Sequence, residues 1–204
     1  MTGCKNLVLF ASGSGTNVEN IFRYFEGNTE IRVSAVFCNQ PQAGVWDRAR
    51  RLKLPCELID RLLLGDKKAF LAKLEKYKPD LLVLAGFLWL IPGYLVKAYP
   101  RQIINIHPAL LPDFGGKGMY GLKVHEAVLA AGRSLTGITI HYVDEGYDSG
   151  HIIFQAAVKI EECTEAQDIA DKIHPLEYEW YPVVIEGLVQ NNYKRRKKTE
   201  YGQI

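Results

Sequence analysis

Two polar residues in the segment Asn105-Ile106-His107-Pro108 are of types that could carry out chemistry together. Side chains two apart on a strand face the same side, so Asn105 and His107 should project together. An amide that polarises a carbonyl, beside an imidazole that moves protons, suits acyl transfer. The same spacing also fits a polar strand end whose histidine bonds to backbone. Spacing alone leaves both interpretations open.

A second segment, SGSGTN at residues 12–17, lies between a predicted strand and a predicted helix. Glycine permits a tight turn there, and the free N–H groups at a helix start bind anions. A dinucleotide site would need glycine in place of Val18, and the segment has no GK[ST] sequence of an NTPase loop. We therefore predict a phosphate monoester site, with a tight turn and an Asn cap as the alternative.

The third segment, DEGYDSG at residues 144–150, predicts a loop whose backbone groups could contact a flat heterocycle. Its carboxylates could orient a nearby histidine, although most acidic turns are simply solvated. His141, Asp144, Asp148 and His151 do not have the spacing of a known metal motif, so we expect no metal site.

These segments belong to two different patterns of secondary structure. The first half alternates apolar strands with amphipathic helices, which is typical of a doubly wound, Rossmann-like, mostly parallel α/β sheet. The predicted strands are 7–11, 31–39, 56–59, 81–86 and 103–107, and the predicted helices lie near 18–26, 44–53 and 66–78.

The second half predicts two strands, 136–143 and 152–160, that pair in antiparallel fashion. A long C-terminal helix is expected from Thr164, as its N-cap, to about residue 189. Pro175 and Pro182 predict that this helix is kinked or split.

Composition narrows the class of protein. The 204 residues favour one domain, which we expect over residues 1–190, followed by a basic, flexible tail at 191–204. The net charge of +2 becomes −3 without the five positive charges of residues 194–198, so a polyanion-binding fold is not expected. That tail is predicted to be solvated, with RNA affinity as the alternative. Four cysteines without a CxxC pair and the lack of a membrane segment favour the cytoplasm.

Taken together, the motifs resemble the folate-dependent formyltransferases, and among them the enzymes that act on glycinamide ribonucleotide. The resemblance runs from residue 6 to about residue 190. Five motifs carry it by their order and spacing: SGSGTN, LAGFLWLI at 84–91, NIHPALLP at 105–112, HYVDEGYDSG at 141–150 and LEYEWYP at 176–182.

The resemblance implies transfer of the formyl group of 10-formyltetrahydrofolate, as co-substrate, to the amino group of glycinamide ribonucleotide in purine biosynthesis. Asn105, His107 and Asp148 then form the catalytic trio, in which Asp148 should raise the pKa of His107 above about 6.5. Only small-molecule partners are implied, with no nucleic acid, membrane or metal, in a monomer or weak homodimer.

The binding residues implied by the resemblance form two groups. Those that contact the ribonucleotide are Gly15, Thr16, Asn17, Val18, Glu19 and Glu177. Those that contact the folate are Lys67, Leu88, Trp89, Leu90, Ile91, Asn105, Asp144, Glu145, Gly146, Tyr147 and Asp148. Trp89 departs from the family pattern because many relatives carry Arg there, and residues 113–118 form a Gly-rich version of the loop after LLP.

Three alternatives stay open beside this interpretation. Methionyl-tRNA formyltransferase and formyltetrahydrofolate hydrolase resemble the same domain, and chain length disfavours both. The third alternative, from another class, is a non-catalytic nucleotide-binding module.

Overall fold

The computed structural model describes residues 3–190, so the predicted basic tail lies outside the described residues. The chain divides into two compact units, one ending at Asn105 and the other beginning at Ile106. Within residues 3–190 no helix has the length and apolar character needed to cross a membrane.

The first unit is built on parallel strands, as the apolar runs predicted. Its strands are β1 (Lys5–Ala11), β2 (Ile31–Cys38), β3 (Cys56–Leu58), β4 (Leu81–Leu84) and β5 (Ile103–His107), the last of which crosses the boundary between the units. Its helices are α1 (Thr16–Tyr24), α2 (Val45–Arg51), α3 (Arg61–Gly65), α4 (Lys67–Glu75) and α5 (Gly93–Ala98). Each neighbouring pair of these strands is parallel.

The second unit contains α6 (Leu122–Ala130), β6 (Leu135–Tyr142), β7 (Ile152–Lys159) and α7 (Ala166–Val189). β6 and β7 pair in antiparallel fashion from Leu135 opposite Lys159 to His141 opposite Ile152. The strand order of the sheet is β3-β2-β1-β4-β5-β6-β7. The predicted fold class is confirmed: the sheet is mostly parallel, with a C-terminal antiparallel pair and a long C-terminal helix.

The C-terminal helix differs from its prediction in two ways. α7 is one helix of 24 residues that contains both Pro175 and Pro182, so the predicted split is wrong. Pro175 is exposed, where water can bond to the carbonyl that proline leaves unpaired, and Pro182 is buried on the packed face. The N-cap is Glu165 rather than Thr164, because Glu165 and Asp168 form a capping box.

One buried hydroxyl fixes the turn that follows β5. Thr139 on β6 is fully buried, and its Oγ1 donates to the Ala109 carbonyl at 2.7 Å. The same oxygen accepts from the Leu111 N–H at 2.9 Å and from Gln155 Nε2 at 3.0 Å. Gln155 also donates to the Leu111 carbonyl at 3.0 Å. The backbone directly after His107 is therefore held by side chains of β6 and β7.

We expect Thr139→Val to lower the free energy of unfolding by about 2–6 kcal/mol, because it leaves a buried N–H and a buried C=O without partners at about 1–3 kcal/mol each. Urea denaturation monitored by circular dichroism measures the loss. Thr136→Val is the matched control, since Thr136 is also buried on β6 but takes no part in this network. Equal losses in the two variants would contradict the role given to Thr139.

Candidate active site

The loop between β1 and α1 has the conformation that an anion site needs. Gly15 is the N-cap of α1 with φ 78°, in the left-handed region, and α1 begins at Thr16. The first N–H groups of a helix have no partner within it, so they can receive an anion. Among residues 3–190 no side-chain hydrogen bond caps this helix start, so the alternative of an Asn cap is wrong. Thr16 and Asn17 are half-buried and Val18 is buried.

This loop lies where ligands bind in open α/β sheets. The strand order reverses between β1 and β4, and the carboxyl ends of strands at such a reversal form the usual binding crevice. Ser12 joins the two loops there: its N–H donates to the Gly86 carbonyl at 2.9 Å and its hydroxyl accepts from the Leu88 N–H at 2.9 Å. The segments after β1 and β4 are thereby tied together.

Glu19, predicted to contact the ribonucleotide, is held by arginines. Its carboxylate pairs with Arg23 at 2.9 Å and also with Arg48, whose Nε donates to the Ser14 carbonyl at 2.8 Å. Hydrogen bonds from Arg23 and Arg48 lower the pKa of Glu19 below its ordinary value. This side chain therefore braces the loop through Arg48.

The predicted folate residues of the first unit lie after β4 and at the start of α4. Leu88 and Leu90 are 43% and 39% exposed, whereas Ile91 is buried. Trp89 is half-buried and Lys67 is exposed at the first position of α4. The Leu88 N–H is bonded to Ser12, and exposed apolar side chains of Leu88 and Leu90 lie on the same segment.

The residues of the predicted catalytic pair both lie on β5. The strand ends at His107, directly before Pro108, and Asn105 lies two positions earlier. Asn105 is half-buried and His107 is buried. The His107 ring has acceptors at both nitrogens: Nε2 lies 2.8 Å from the Phe114 carbonyl, and Nδ1 lies 3.5 Å from Asp148 Oδ2.

Asp148 lies between two buried imidazoles of the second unit. Its Oδ1 is 3.6 Å from Nε2 of His141, whose Nδ1 lies 2.8 Å from the Tyr142 carbonyl. Its Oδ2 faces His107 and accepts from the Gly116 N–H at 2.9 Å. The backbone of Asp148 has φ 52°, which is uncommon for a residue with a side chain. The Asp148 carboxylate thus contacts the imidazole rings of His107 and His141 and the loop that contains Gly116.

The net pKa shift of His107 is opposite to the one expected from sequence. Burial lowers the His107 pKa below its ordinary value, and the Asp148 charge and the Phe114 carbonyl offset only part of this effect. Burial would raise the Asp148 pKa, but His141, His107 and the Gly116 N–H together hold it below its usual value. Asp148 therefore places a carboxylate beside an imidazole whose protonated form is disfavoured by burial.

The remaining predicted residues of the second unit lie in the 144–148 loop and on α7. Asp144 Oδ1 closes the loop by accepting from the Gly146 N–H at 3.0 Å and the Ser149 hydroxyl at 2.6 Å. Glu145 is exposed and Tyr147 is 39% exposed. On α7, Glu177 is buried, and its Oε2 lies 3.3 Å from His174 Nδ1.

His174 and Glu177 are hydrogen-bonded to each other on α7. The hydrogen bond to Glu177 raises the His174 pKa, whereas burial lowers the pKa of His125 to about 4. The Glu177 carboxylate therefore favours the protonated form of a histidine on the same helix.

Sequence reasoning missed three groups of the His107 cluster. His141 was considered only as a metal ligand, and the Phe114 carbonyl and the Gly116 N–H belong to the Gly-rich loop whose motif assigns no contact. The sequence could have indicated His141 by its position near the end of β6, directly before the loop that contains Asp148. Among residues 3–190 no three His, Cys, Asp or Glu side chains are placed to hold a metal ion.

Comparison with known proteins identifies the family. Residues 5–185 match the family described as Formyl transferase. The chain belongs to the formyl transferase family. Residues 5–185 include β1 to β7, so the match extends from the β1–α1 loop to Glu177.

Formyl transferase relatives match over nearly the whole chain. Phosphoribosylglycinamide formyltransferase of Bacillus subtilis (strain 168) is 39% identical over 198 residues, which cover 95% of this chain and 99% of that protein. The chloroplastic phosphoribosylglycinamide formyltransferase of Vigna unguiculata is 37% identical over 95% of this chain and 64% of its own length.

Solved structures of the family share the fold. Glycinamide ribonucleotide transformylase 1 from Geobacillus kaustophilus matches with a TM-score of 0.81 and 38% identity, covering 91% of this chain and 99% of that one. The corresponding protein from Symbiobacterium toebii matches with a TM-score of 0.83 and 32% identity, covering 94% and 90%.

Proposed function

We propose that this formyl transferase moves the formyl group of 10-formyltetrahydrofolate to the amino group of glycinamide ribonucleotide. The observation that carries the proposal is the 39% identity with the Bacillus subtilis phosphoribosylglycinamide formyltransferase over 95% of this chain and 99% of that protein. The buried His107–Asp148 pair supports it, because formyl transfer needs a positioned proton carrier.

In the proposed reaction the amine nitrogen attacks the formyl carbon and forms a tetrahedral oxyanion. Asn105 and His107 stabilise that oxyanion, and Asp148 stabilises His107 while it is protonated. Collapse breaks the bond between the formyl carbon and N10 of the folate. The amine loses one proton, N10 gains one, and tetrahydrofolate and the formamide leave.

The two substrates are assigned separate groups of residues in this proposal. The ribonucleotide contacts the Gly15–Glu19 segment, its phosphate is bound by backbone N–H groups of Gly15–Asn17, and Glu177 accepts from a ribose hydroxyl. The folate is bound by Lys67, by the strip from Leu88 to Ile91 and by the loop from Asp144 to Asp148. The left-handed Gly15 and the exposed Leu88 and Leu90 support these assignments.

The organisation of the chain is part of the same proposal. Residues 1–190 act as one formyltransferase domain on small-molecule substrates, as a monomer or weak homodimer, which sedimentation velocity measures. The four free cysteines are compatible with a location in the reducing cytoplasm.

A turnover assay tests the activity. Tetrahydrofolate release from 10-formyltetrahydrofolate is followed with and without glycinamide ribonucleotide, and the formylated product is identified by mass. We expect release only when the ribonucleotide is present. Equal release without it would indicate a hydrolase, and no release with either mixture would favour a non-catalytic nucleotide-binding module.

We expect Gly15→Ala to raise the KM for glycinamide ribonucleotide at least about tenfold and to change the KM for the folate little. A Cβ at Gly15 would lie 2.5 Å from Val45 Cγ2, and φ 78° costs about 1–2 kcal/mol for a residue with a side chain. Steady-state kinetics with each substrate varied in turn measures both constants.

Gly13→Ala is the control, because a Cβ there meets nothing within 4 Å. Thermal melting of both variants separates loop distortion from unfolding. A parallel rise in both KM values of a folded Gly15→Ala variant would argue against phosphate binding at this loop.

A further inference from the structure

A cavity opens in the first unit near the amino ends of β1 and β2. Its volume is about 460 Å³, within the range of about 300–1,000 Å³ that is common for small-molecule sites. Its wall contains three cationic and three polar residues: Arg32, Lys76, Lys78, Asn6, Ser34 and Tyr77. Within the described part of the chain no aspartate or glutamate lines it. The cavity therefore has the size and the charge to take a small molecule that carries an anion.

Asn6 holds two of the cationic residues in place. Its side chain is buried, its Oδ1 accepts from Arg32 Nε at 2.7 Å, and its Nδ2 donates to the Lys78 carbonyl at 3.1 Å. Within residues 3–190 Arg32 bonds through Nε alone, so both terminal nitrogens of the guanidinium keep their N–H donors. Lys78 has φ 44°, in the left-handed region, which a residue with a side chain adopts where its surroundings hold it.

A β-bulge in β2 places Ser34 at the wall of the cavity. Leu7 of β1 pairs with Val33 and the next residue, Val8, pairs with Ala35, so Ser34 is the extra residue. The Ser34 hydroxyl donates to the Leu7 carbonyl at 3.0 Å and supports the backbone at this irregular position. Bulges are rare between parallel strands and are over-represented beside active sites.

Two carboxylates that are bonded to neighbouring residues already have cationic partners. Asp80 pairs with Lys5 at 2.9 Å. Glu57 pairs with Lys73 at 2.7 Å and accepts from the Tyr77 hydroxyl at 2.5 Å. These pairs leave the cations of the cavity wall without a carboxylate in hydrogen-bond contact among residues 3–190.

The two lysines of the cavity lie at the end of α4, which suggests an alternative explanation for them. α4 ends at Glu75, and Lys76 is its C-cap. Cations at a helix C-terminus compensate the partial negative charge of its last carbonyls. This effect does not account for Arg32, which belongs to β2 and is held at the same cavity by Asn6.

We propose that this cavity is a second anion site, which binds the phosphate group of a small molecule between Arg32, Lys76 and Lys78. A phosphate monoester offers three acceptor oxygens, and charge-assisted hydrogen bonds from cations to such oxygens are strong. Asn6 lies near the start of β1 and Gly15 follows its end, roughly 15–20 Å away at about 3.3 Å per residue. The ligand is therefore additional to the one assigned to the Gly15 loop, and the inference does not rest on the proposed function.

Backbone NMR during a titration with inorganic phosphate at constant ionic strength tests the inference. We expect the amide signals of Asn6, Ser34 and Lys78 to move, and Arg32→Met to weaken the apparent affinity at least about tenfold. Lys78→Met should weaken it too while keeping the bond between Asn6 and Arg32, so it serves if Arg32→Met disturbs β2. A second titration with a nucleoside monophosphate distinguishes the sources: tighter binding indicates an organic phosphate, and equal binding indicates free phosphate.

Arg50→Met is the matched control, since it removes an arginine whose side chain is 80% exposed and paired with Asp47. Gly15→Ala separates the two sites, because it should leave the response of Asn6 and Lys78 as in the wild type. Thermal melting checks that each variant is folded. Signals that stay unmoved in the wild type, or an affinity unchanged in both Arg32→Met and Lys78→Met, would overturn the inference and leave the lysines as compensation for the end of α4.

Discussion

His107→Ala lowers kcat by at least about 10²-fold while the KM for glycinamide ribonucleotide changes little. General acid–base catalysis is typically worth about 10²–10⁴-fold, and here the same ring also faces the developing oxyanion. An interaction made mainly in the transition state affects kcat rather than ground-state binding. Steady-state kinetics on the folded variant measures the effect.

His151→Ala is the control for this substitution, because His151 is exposed directly before β7. It should retain turnover within about twofold. If His107→Ala keeps near-normal turnover, the alternative interpretation holds, in which His107 is a polar strand end that bonds only to the Phe114 carbonyl.

Asp148→Asn lowers kcat by about 10²-fold and moves the His107 pKa further toward acid. The Asp148 charge raises the pKa of His107, whereas burial lowers it, so removing the charge leaves burial less opposed. The protonated ring is then lost at a lower pH than in the wild type. NMR titration of the His107 ring and the pH profile of kcat/KM measure the displacement.

Asp113→Asn is the matched control, since Asp113 is an exposed carboxylate that pairs with Arg133 at 2.9 Å. It should leave both the ring titration and kcat unchanged. An unmoved His107 pKa in folded Asp148→Asn would mean that Asp148 acts only by holding the Gly116 N–H and the loop.

The pattern of apolar and turn residues predicted the strands whose limits depend on neighbouring residues in the sequence. The strand Ile103–His107 has the bounds that its apolar run and Pro108 indicated. The antiparallel pair of β6 and β7 followed from the Gly- and Asp-rich turn between two apolar runs. The family motifs then named Asn105, His107 and Asp148 as the catalytic residues, which stays a prediction.

Features that depend on tertiary packing were not predictable in this way. The burial of His107 reverses the sign of its pKa shift, and burial cannot be read from residue types two apart on a strand. His141 belongs to the His107 cluster only because the chain folds back after β6 and places Asp148 beside it. In α7, Pro182 is buried within a continuous helix, whereas helix propensity alone predicts a break.

The backbone of Asp148, at φ 52°, limits the residues that fit this position without strain. In the left-handed region glycine, asparagine and aspartate are the residues commonly accepted. The charge beside the two imidazoles requires a carboxylate, which among these three only aspartate provides. Aspartate therefore combines the negative charge with a side chain suited to this backbone conformation, and glutamate would keep the charge at the cost of backbone strain.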